Sequence, residues 1–181
     1  AENVAIGYQA GATLADGSYS TILGYQAGKS LTSGAGNTII GRTAMTAATT
    51  AGACVVIGLN ACESLAASNT ASDGTVAVGY QALTSLTTGA GNTAIGYKAG
   101  AYISTGGYNT FLGNEAGTNG ESDDAASNTA ASNVAIGYRS MGTASGAASA
   151  HFTAANNTAV GTSSLSNLGS GASNVAIGYQ A

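Results

Sequence analysis

The chain of 181 residues lacks proline and tryptophan altogether, and only 7% of its residues are charged. Its net charge is −4, and the four basic residues, Lys29, Arg42, Lys98 and Arg139, are scattered along the sequence. Nucleic-acid binding needs a concentrated basic surface that neutralises phosphates, so we expect none here. No run of residues reaches the roughly 18 to 20 apolar positions that cross a bilayer, and we expect no membrane insertion.

Catalytic and metal-binding side chains are equally scarce. The chain has one histidine, His151, whereas a catalytic nucleophile needs both a base and a group that orients it. No second histidine, cysteine or carboxylate accompanies His151 at the spacing of metal ligands. We therefore predict that the protein is not an enzyme and that it holds no cofactor and no metal ion.

Glycine is abundant, with 28 residues, and ten of the glycines close one recurring pattern. Each of the ten follows a β-branched residue, an apolar residue and a large aliphatic residue, in that order. We name them the motif glycines: Gly7, Gly24, Gly41, Gly58, Gly79, Gly96, Gly113, Gly137, Gly161 and Gly178. Six of the intervals between them are 17 residues long, and the other three are 21 or 24. A short period with occasional insertions predicts a solenoid, in which each coil buries its apolar side chains by stacking on its neighbours.

The three residues before each motif glycine predict a short β-strand, and ten such strands would pair in parallel along the rod. The pre-glycine row is always bulky and aliphatic: Ile6, Leu23, Ile40, Ile57, Val78, Ile95, Leu112, Ile136, Val160 and Ile177. The strand-start row, two residues earlier, is always β-branched: Val4, Thr21, Thr38, Val55, Val76, Thr93, Thr110, Val134, Thr158 and Val175. These two rows share one face of a strand, and we predict that this face is the core of each coil.

The strand-centre row points to the opposite face and is apolar in every coil. Its members are Ala5, Ile22, Ile39, Val56, Ala77, Ala94, Phe111, Ala135, Ala159 and Ala176. A strand that is apolar on both faces must be covered on both, and a 17-residue coil is too thin to hold two cores. We therefore predict that another chain buries the strand-centre row and that the protein is an oligomer.

Asparagine occupies the position four residues before the motif glycine in seven of the ten coils, which predicts a ladder of hydrogen-bonded amides. The seven are Asn3, Asn37, Asn92, Asn109, Asn133, Asn157 and Asn174. Cys54 takes the same position in its coil, and Cys62 follows eight residues later. The two cysteines either form a disulfide or are buried as small apolar side chains.

Two segments of the repeat resemble known fibre proteins. The sequence AsnValAlaIleGly at residues 3–7, 133–137 and 174–178 resembles the repeat of trimeric autotransporter adhesin heads. The 17-residue units that begin at Gly24 and Gly79 also resemble repeats of phage tail fibres and virion appendages. The resemblance covers essentially the whole chain and implies a homotrimer of left-handed parallel β-rolls. We accordingly predict an all-β, left-handed parallel β-roll or β-helix solenoid of ten coils, forming one domain over residues 1–181 of a longer fibre.

The resemblance favours a phage tail fibre or virion appendage that takes part in host attachment. Such a fibre is extracellular, on the virion surface, and contacts other fibre segments and a glycan or protein receptor on the host. A first alternative is a bacterial trimeric autotransporter adhesin head, on the bacterial cell surface. A second, of a different class, is a monomeric solenoid that binds ice or a polysaccharide through flat, exposed threonine and tyrosine columns.

Candidate binding residues fall into two groups. The first is a tyrosine column, formed by the residue directly after a motif glycine: Tyr8, Tyr25, Tyr80, Tyr97, Tyr138 and Tyr179. The column either packs over a corner of the coil or offers its rings and hydroxyls to a sugar or a protein. The second group lies in loops that the enlarged coils predict near residues 66–74, 118–132 and 142–156. Asp123 and Asp124 make one loop acidic, either solvated or calcium-binding, and His151 with Phe152 pins another loop or meets another chain.

Overall fold

The structure, a computed structural model, describes residues 2–65, 72–118, 128–142 and 153–181. Its ten strands have three residues each and coincide with the predicted segments. They are β1 (Val4–Ile6), β2 (Thr21–Leu23), β3 (Thr38–Ile40), β4 (Val55–Ile57), β5 (Val76–Val78), β6 (Thr93–Ile95), β7 (Thr110–Leu112), β8 (Val134–Ile136), β9 (Thr158–Val160) and β10 (Val175–Ile177). All pair in parallel and in chain order within one sheet. The prediction of an all-β parallel solenoid is confirmed, with about nine turns.

Backbone hydrogen bonds join each coil to the next both inside and outside the strands. The register aligns equivalent residues, so that Ile95 pairs with Leu112. The same stacking continues at the corner after the strand, where the N–H of Gln26 donates to the carbonyl of Tyr8 at 2.8 Å. Because equivalent residues must meet in every coil, the insertions fall outside the strands and the corner that follows them.

The structure reverses the predicted assignment of the inward and outward faces of the strands. The strand-centre row fills the interior of the coil, and Ile22 and Phe111 are completely buried within the single chain. The pre-glycine row points outward, and the side chains of Ile95 and Leu112 are 38% and 44% exposed. The prediction that the pre-glycine row forms the core was therefore wrong. So was the prediction that another chain must bury the strand-centre row.

A narrow interior explains the reversal. The strand centre shares the core with the residues three, four and seven positions after the motif glycine. In several coils the residue four positions after the glycine is large where the strand centre is small, or small where it is large: Ala77 goes with Leu83, whereas Phe111 goes with Gly117. A Cβ atom at Gly117 would lie only 2.4 Å from Cδ1 of Phe111. Ten bulky pre-glycine residues do not fit this space, so they lie outside it.

Left-handed backbone conformations turn the chain at the corners of the coil. The residue two positions after the motif glycine has a φ between 51° and 57° in all ten coils. The motif glycines themselves adopt φ between 125° and 140°. A Cβ atom at Gly96 would lie 2.3 Å from the carbonyl oxygen of Gly113 in the next coil. Glycine is therefore required both for its φ and for the close approach of successive coils.

The predicted asparagine ladder is confirmed, and it is continuous through the last five coils. The amide of Asn133 shows the pattern: its Nδ2 donates to Oδ1 of Asn109 at 3.1 Å and to the carbonyl of Ala154 at 2.9 Å. Its Oδ1 accepts from the backbone N–H of Asn157 at 3.0 Å and from the Nδ2 of that residue at 3.1 Å. This buried amide thus satisfies polar groups in the preceding coil and in the following one.

The ladder leads to a first prediction, for the substitution Asn133→Ala. The change leaves the carbonyl of Ala154 and the N–H of Asn157 without partners in the interior. We expect the free energy of unfolding to fall by about 2–3 kcal/mol. Denaturant unfolding at matched protein concentration measures it. The control is Asn174→Ala, because Asn174 is only half-buried; we expect it to lose less than half as much, and equal losses would contradict the ladder as the source.

Candidate functional site

The outward side of the sheet is a continuous apolar surface, which we name the outer sheet face. It consists of the strand-start and pre-glycine rows, which hold only Val, Thr, Ile and Leu. No position on it is charged. Leu23, Ile95 and Leu112 are substantially exposed although they lie in interior coils. Monomeric proteins rarely expose contiguous apolar patches of more than a few hundred Å², so such a face is typical of a contact site.

The tyrosine column lies at the corner that follows the sheet, and four of its rings stack in two pairs. The ring centroids of Tyr8 and Tyr25 are 5.3 Å apart, with an interplanar angle of 18°. Those of Tyr80 and Tyr97 are 5.2 Å apart, at 13°. The ring faces in these pairs are therefore turned toward each other along the rod, and the faces that a sugar would use are engaged. Ligand binding by the column stays a prediction.

Basic side chains border the tyrosine column and lie over its rings at cation–π distance. The pairs are Arg42 with Tyr25 at 5.8 Å, Lys98 with Tyr97 at 5.7 Å, and Arg139 with Tyr138 at 5.3 Å. Glu115 and Arg139, in adjacent coils, also form an ion pair with 2.5 Å between Oε2 and Nε. These contacts all lie within one chain, which fits the first of the two predicted roles, packing over the corner.

Cys54 and Cys62 are free thiols and both are buried. The alternative in which they act as small buried side chains is therefore confirmed. Desolvation by burial raises the pKa of both thiols above the ordinary value for cysteine. A raised pKa keeps a thiol protonated at neutral pH, which makes it a poor nucleophile and metal ligand. The cysteines thus offer no reactive site in the folded protein.

The loop candidates Asp123, Asp124, His151 and Phe152 lie outside the described residues, as does most of the three predicted insertions. Asp73 belongs to the first insertion and is described: its Oδ1 accepts a hydrogen bond from the N–H of Gly52 at 2.8 Å. Within the described ranges no three His, Cys, Asp or Glu side chains come together as metal ligands would.

Two exposed tyrosines that the sequence did not single out lie at another corner of the coil, five residues before the motif glycine. We name this position the corner row. Tyr19 and Tyr108 are 68% and 71% exposed there. Each lines a shallow surface depression, of about 380 Å³ beside Tyr19 and about 500 Å³ beside Tyr108. The available signal was their deviation from a row of otherwise small or polar residues.

No protein-family model, curated protein or solved structure matches the chain. Nothing in the described part of the chain is a helix with the length and apolarity that a bilayer crossing requires. The functional argument therefore depends on the solenoid itself and on its exposed surfaces: the outer sheet face, the tyrosine column and the corner row.

Proposed function

We propose that the chain is the shaft or head segment of a homotrimeric left-handed β-solenoid fibre, a phage tail fibre or virion appendage that attaches to a host surface. The observation that supports this proposal most strongly is the outer sheet face. That face is uncharged at every position and mostly aliphatic along ten strands, with threonine at half of the strand-start positions, and none of the described residues covers it. An apolar sheet face of this length needs a partner that excludes water from it.

A second copy of the same chain is the partner that fits the outer sheet face best. Coils repeat along the rod at about 4.8 Å, so a partner must present apolar rows at the same spacing over a comparable length. A second copy of the chain carries the same apolar rows at the same spacing, and closed symmetry allows every copy to bury the same face. The absence of charge from the outer sheet face fits an interface core, from which charged residues are depleted.

Polar side chains are distributed in the way that a fibre with a central apolar interface requires. The basic residues Arg42, Lys98 and Arg139 and the acidic Glu115 lie at the edge marked by the tyrosine column. The outer sheet face has none of them. Charge on the remaining sides keeps the assembly in solution, while the uncharged face is available for association.

The two alternative functions assign the outer sheet face a different biological role. An autotransporter adhesin head would share the trimeric assembly and differ in being attached to a bacterial cell. A monomeric ice-binding or polysaccharide-binding solenoid is favoured by a specific observation, since half of the strand-start row is threonine on the partly exposed outer side of the sheet: Thr21, Thr38, Thr93, Thr110 and Thr158. In that case the outer sheet face stays uncovered.

The mass of the purified protein, measured by light scattering, tests the proposal. We expect a value near three times the chain mass of 17.2 kDa, stable on dilution. We expect the double substitution Ile95→Lys and Leu112→Lys to dissociate the trimer, because it brings like charges from three chains to one apolar interface. The matched control is Ser33→Asp, since Ser33 is exposed and Asp16 stands at the equivalent position one coil earlier.

Either of two results would contradict a trimer held together by the outer sheet face. A wild-type protein with the mass of one chain would turn attention to the monomeric alternative, and thermal hysteresis of freezing would then support ice binding. A trimer that survives the lysine substitutions with an unchanged melting temperature would show that the interface lies elsewhere on the coil.

A further inference from the structure

The corner row holds two tyrosines at equivalent positions, five coils apart. Tyr19 lies five residues before Gly24, and Tyr108 lies five residues before Gly113. The remaining members of the row are small or polar: Glu2, Gly36, Ala53, Gly74, Gly91, Ser132, Asn156 and Ser173. The repeat therefore does not require an aromatic residue here, and its presence twice needs a separate explanation.

Both tyrosines adopt a backbone conformation that is unfavourable for a bulky side chain. Their φ angles are 59° and 60°, within the left-handed region. Stacking imposes this conformation, because the N–H at the corner row donates to the preceding coil, as that of Tyr108 does to Ala90 O at 2.9 Å. Glycine and asparagine tolerate it best, and other residues in such regions are strained by about 1–3 kcal/mol.

The strain is not compensated by packing. More than two thirds of the surface of each residue is exposed. The ring of Tyr108 lies over Gly91, the corner-row residue of the preceding coil, which has no side chain to bury it. Burial of apolar area stabilises a fold in proportion to the area removed from water, so these rings contribute little. A strained, exposed aromatic residue is typical of a binding position.

The surroundings of the two rings indicate what they bind. Besides Tyr108, the depression is lined by Thr88, Gly89, Ala90, Thr105, Gly107 and Ala131, two of which carry hydroxyls. It combines an accessible apolar ring with hydroxyl and peptide groups that both donate and accept hydrogen bonds. A sugar ring is complementary to this combination, because its C–H face is apolar and its rim carries hydroxyls. In contrast to the tyrosine column, Tyr108 is not stacked on a neighbouring tyrosine.

The charges around the two depressions exclude acidic sugars. No charged residue lines the depression beside Tyr108. The one beside Tyr19 is lined by Glu2, Asp16 and Ser18, so its carboxylates would repel an anion. We propose that Tyr19 and Tyr108, at equivalent positions of two coils, are subsites for the rings of a neutral carbohydrate. This inference names the receptor class for the attachment role proposed above and rests on that role only for its biological meaning.

Titration calorimetry of the full chain with cellopentaose, chitopentaose, maltopentaose and mannopentaose tests the two subsites. We expect at least one of these neutral oligosaccharides to bind, and the double variant Tyr19→Asn and Tyr108→Asn to weaken it by about tenfold or more. Asparagine is chosen because Asn156 holds the same position with a φ of 58°. We expect the melting temperature of the double variant to be unchanged or higher, which a structural role for the rings would not allow.

Two further variants separate the ring from other effects of substitution. Tyr108→Phe keeps the ring and should retain most of the affinity. Ser173→Asn makes the same kind of change at an exposed corner-row residue without a ring, and should leave affinity unchanged. The inference is overturned if none of the four oligosaccharides binds, or if binding survives in the double variant.

Light scattering of the same samples keeps the two proposals separate. A monomer that binds sugar through the two tyrosines would refute the trimeric fibre and leave the subsites standing. A trimer that binds no sugar would refute the subsites and leave the fibre. If the double asparagine variant loses the trimeric mass, the rings are contacts between chains and the carbohydrate subsites are refuted.

Discussion

Replacing Gly96 by alanine is expected to abolish the cooperative fold or to lower the free energy of unfolding by more than about 4 kcal/mol. Two effects combine at this residue. Its φ of 138° is one that L-residues rarely adopt. In addition, the new Cβ atom would lie 2.3 Å from the carbonyl oxygen of Gly113. That oxygen belongs to the backbone of the next coil, so relief of the overlap requires the two coils to separate.

The last motif glycine supplies a matched control. Gly178 has nearly the same φ, 137°, but its nearest neighbour to an added Cβ atom is the Cβ of Ala181, at an ordinary 3.7 Å. Gly178→Ala therefore tests the backbone strain alone, and we expect a loss of about 1–3 kcal/mol. Far-ultraviolet circular dichroism during thermal and denaturant unfolding, at matched protein concentration, measures both variants. Equal losses would show that φ alone matters and that the coils do not approach as closely as described.

The period of the sequence was sufficient to predict the strands and the buried amides. Each motif glycine located a strand to the residue, because a solenoid repeats one backbone conformation per coil. The asparagines were predictable for the same reason, since equal positions in adjacent coils are neighbours in space. Where other residues replace asparagine the structure compensates individually: Ser20 Oγ accepts from the N–H of Asn37 at 3.1 Å, and Thr75 Oγ1 donates to the carbonyl of Ser72 at 2.8 Å.

The direction of the strand faces could not be derived from side-chain size alone. Bulky aliphatic residues are usually the core of a strand, and that rule placed the pre-glycine row inside. In a coil this narrow the opposite holds, because the interior also contains residues from the return half of the coil. A subtler signal was present. In several coils, such as those of Ala77 with Leu83 and Phe111 with Gly117, the strand centre and the position four residues after the glycine differ inversely in size, as two residues that share one space can, whereas the pre-glycine row is bulky in every coil.

The reversal also relocates the surface on which a partner is expected. Both faces of each strand are apolar, as the sequence indicated, and only one is satisfied within the chain. The outer sheet face, where we propose the partner, is therefore wider and more aliphatic than a row of alanines would be, since it contains residues such as Ile95 and Leu112. Tyr19 and Tyr108 were not predicted for a different reason. They differ from the residues that hold their position in the other coils, and an analysis of periodicity identifies only residues that recur.

Because residues of the coil interior share limited space, a second large effect on stability is expected for a substitution at Phe111. Its ring lies over Gly100 and Gly117, where a Cβ atom would come within 2.7 Å and 2.4 Å of it. Phe111→Ala removes the largest fully buried side chain among the described residues. We expect a loss of about 3–5 kcal/mol in the free energy of unfolding, from lost burial and from the cavity that remains. Denaturant unfolding at matched protein concentration measures it.

The decisive variant combines Phe111→Ala with Gly117→Leu. This pair reproduces the arrangement of Ala77 and Leu83, where leucine occupies the same repeat position with a φ of 51°. Gly117→Leu alone should be destabilising, because its side chain collides with the ring of Phe111. The double variant should recover stability, so that the two changes couple favourably by about 2 kcal/mol or more. If the stability changes of the two single variants simply add up in the double variant, the two positions do not share space in the core. The inverse variation in their sizes would then have no structural basis.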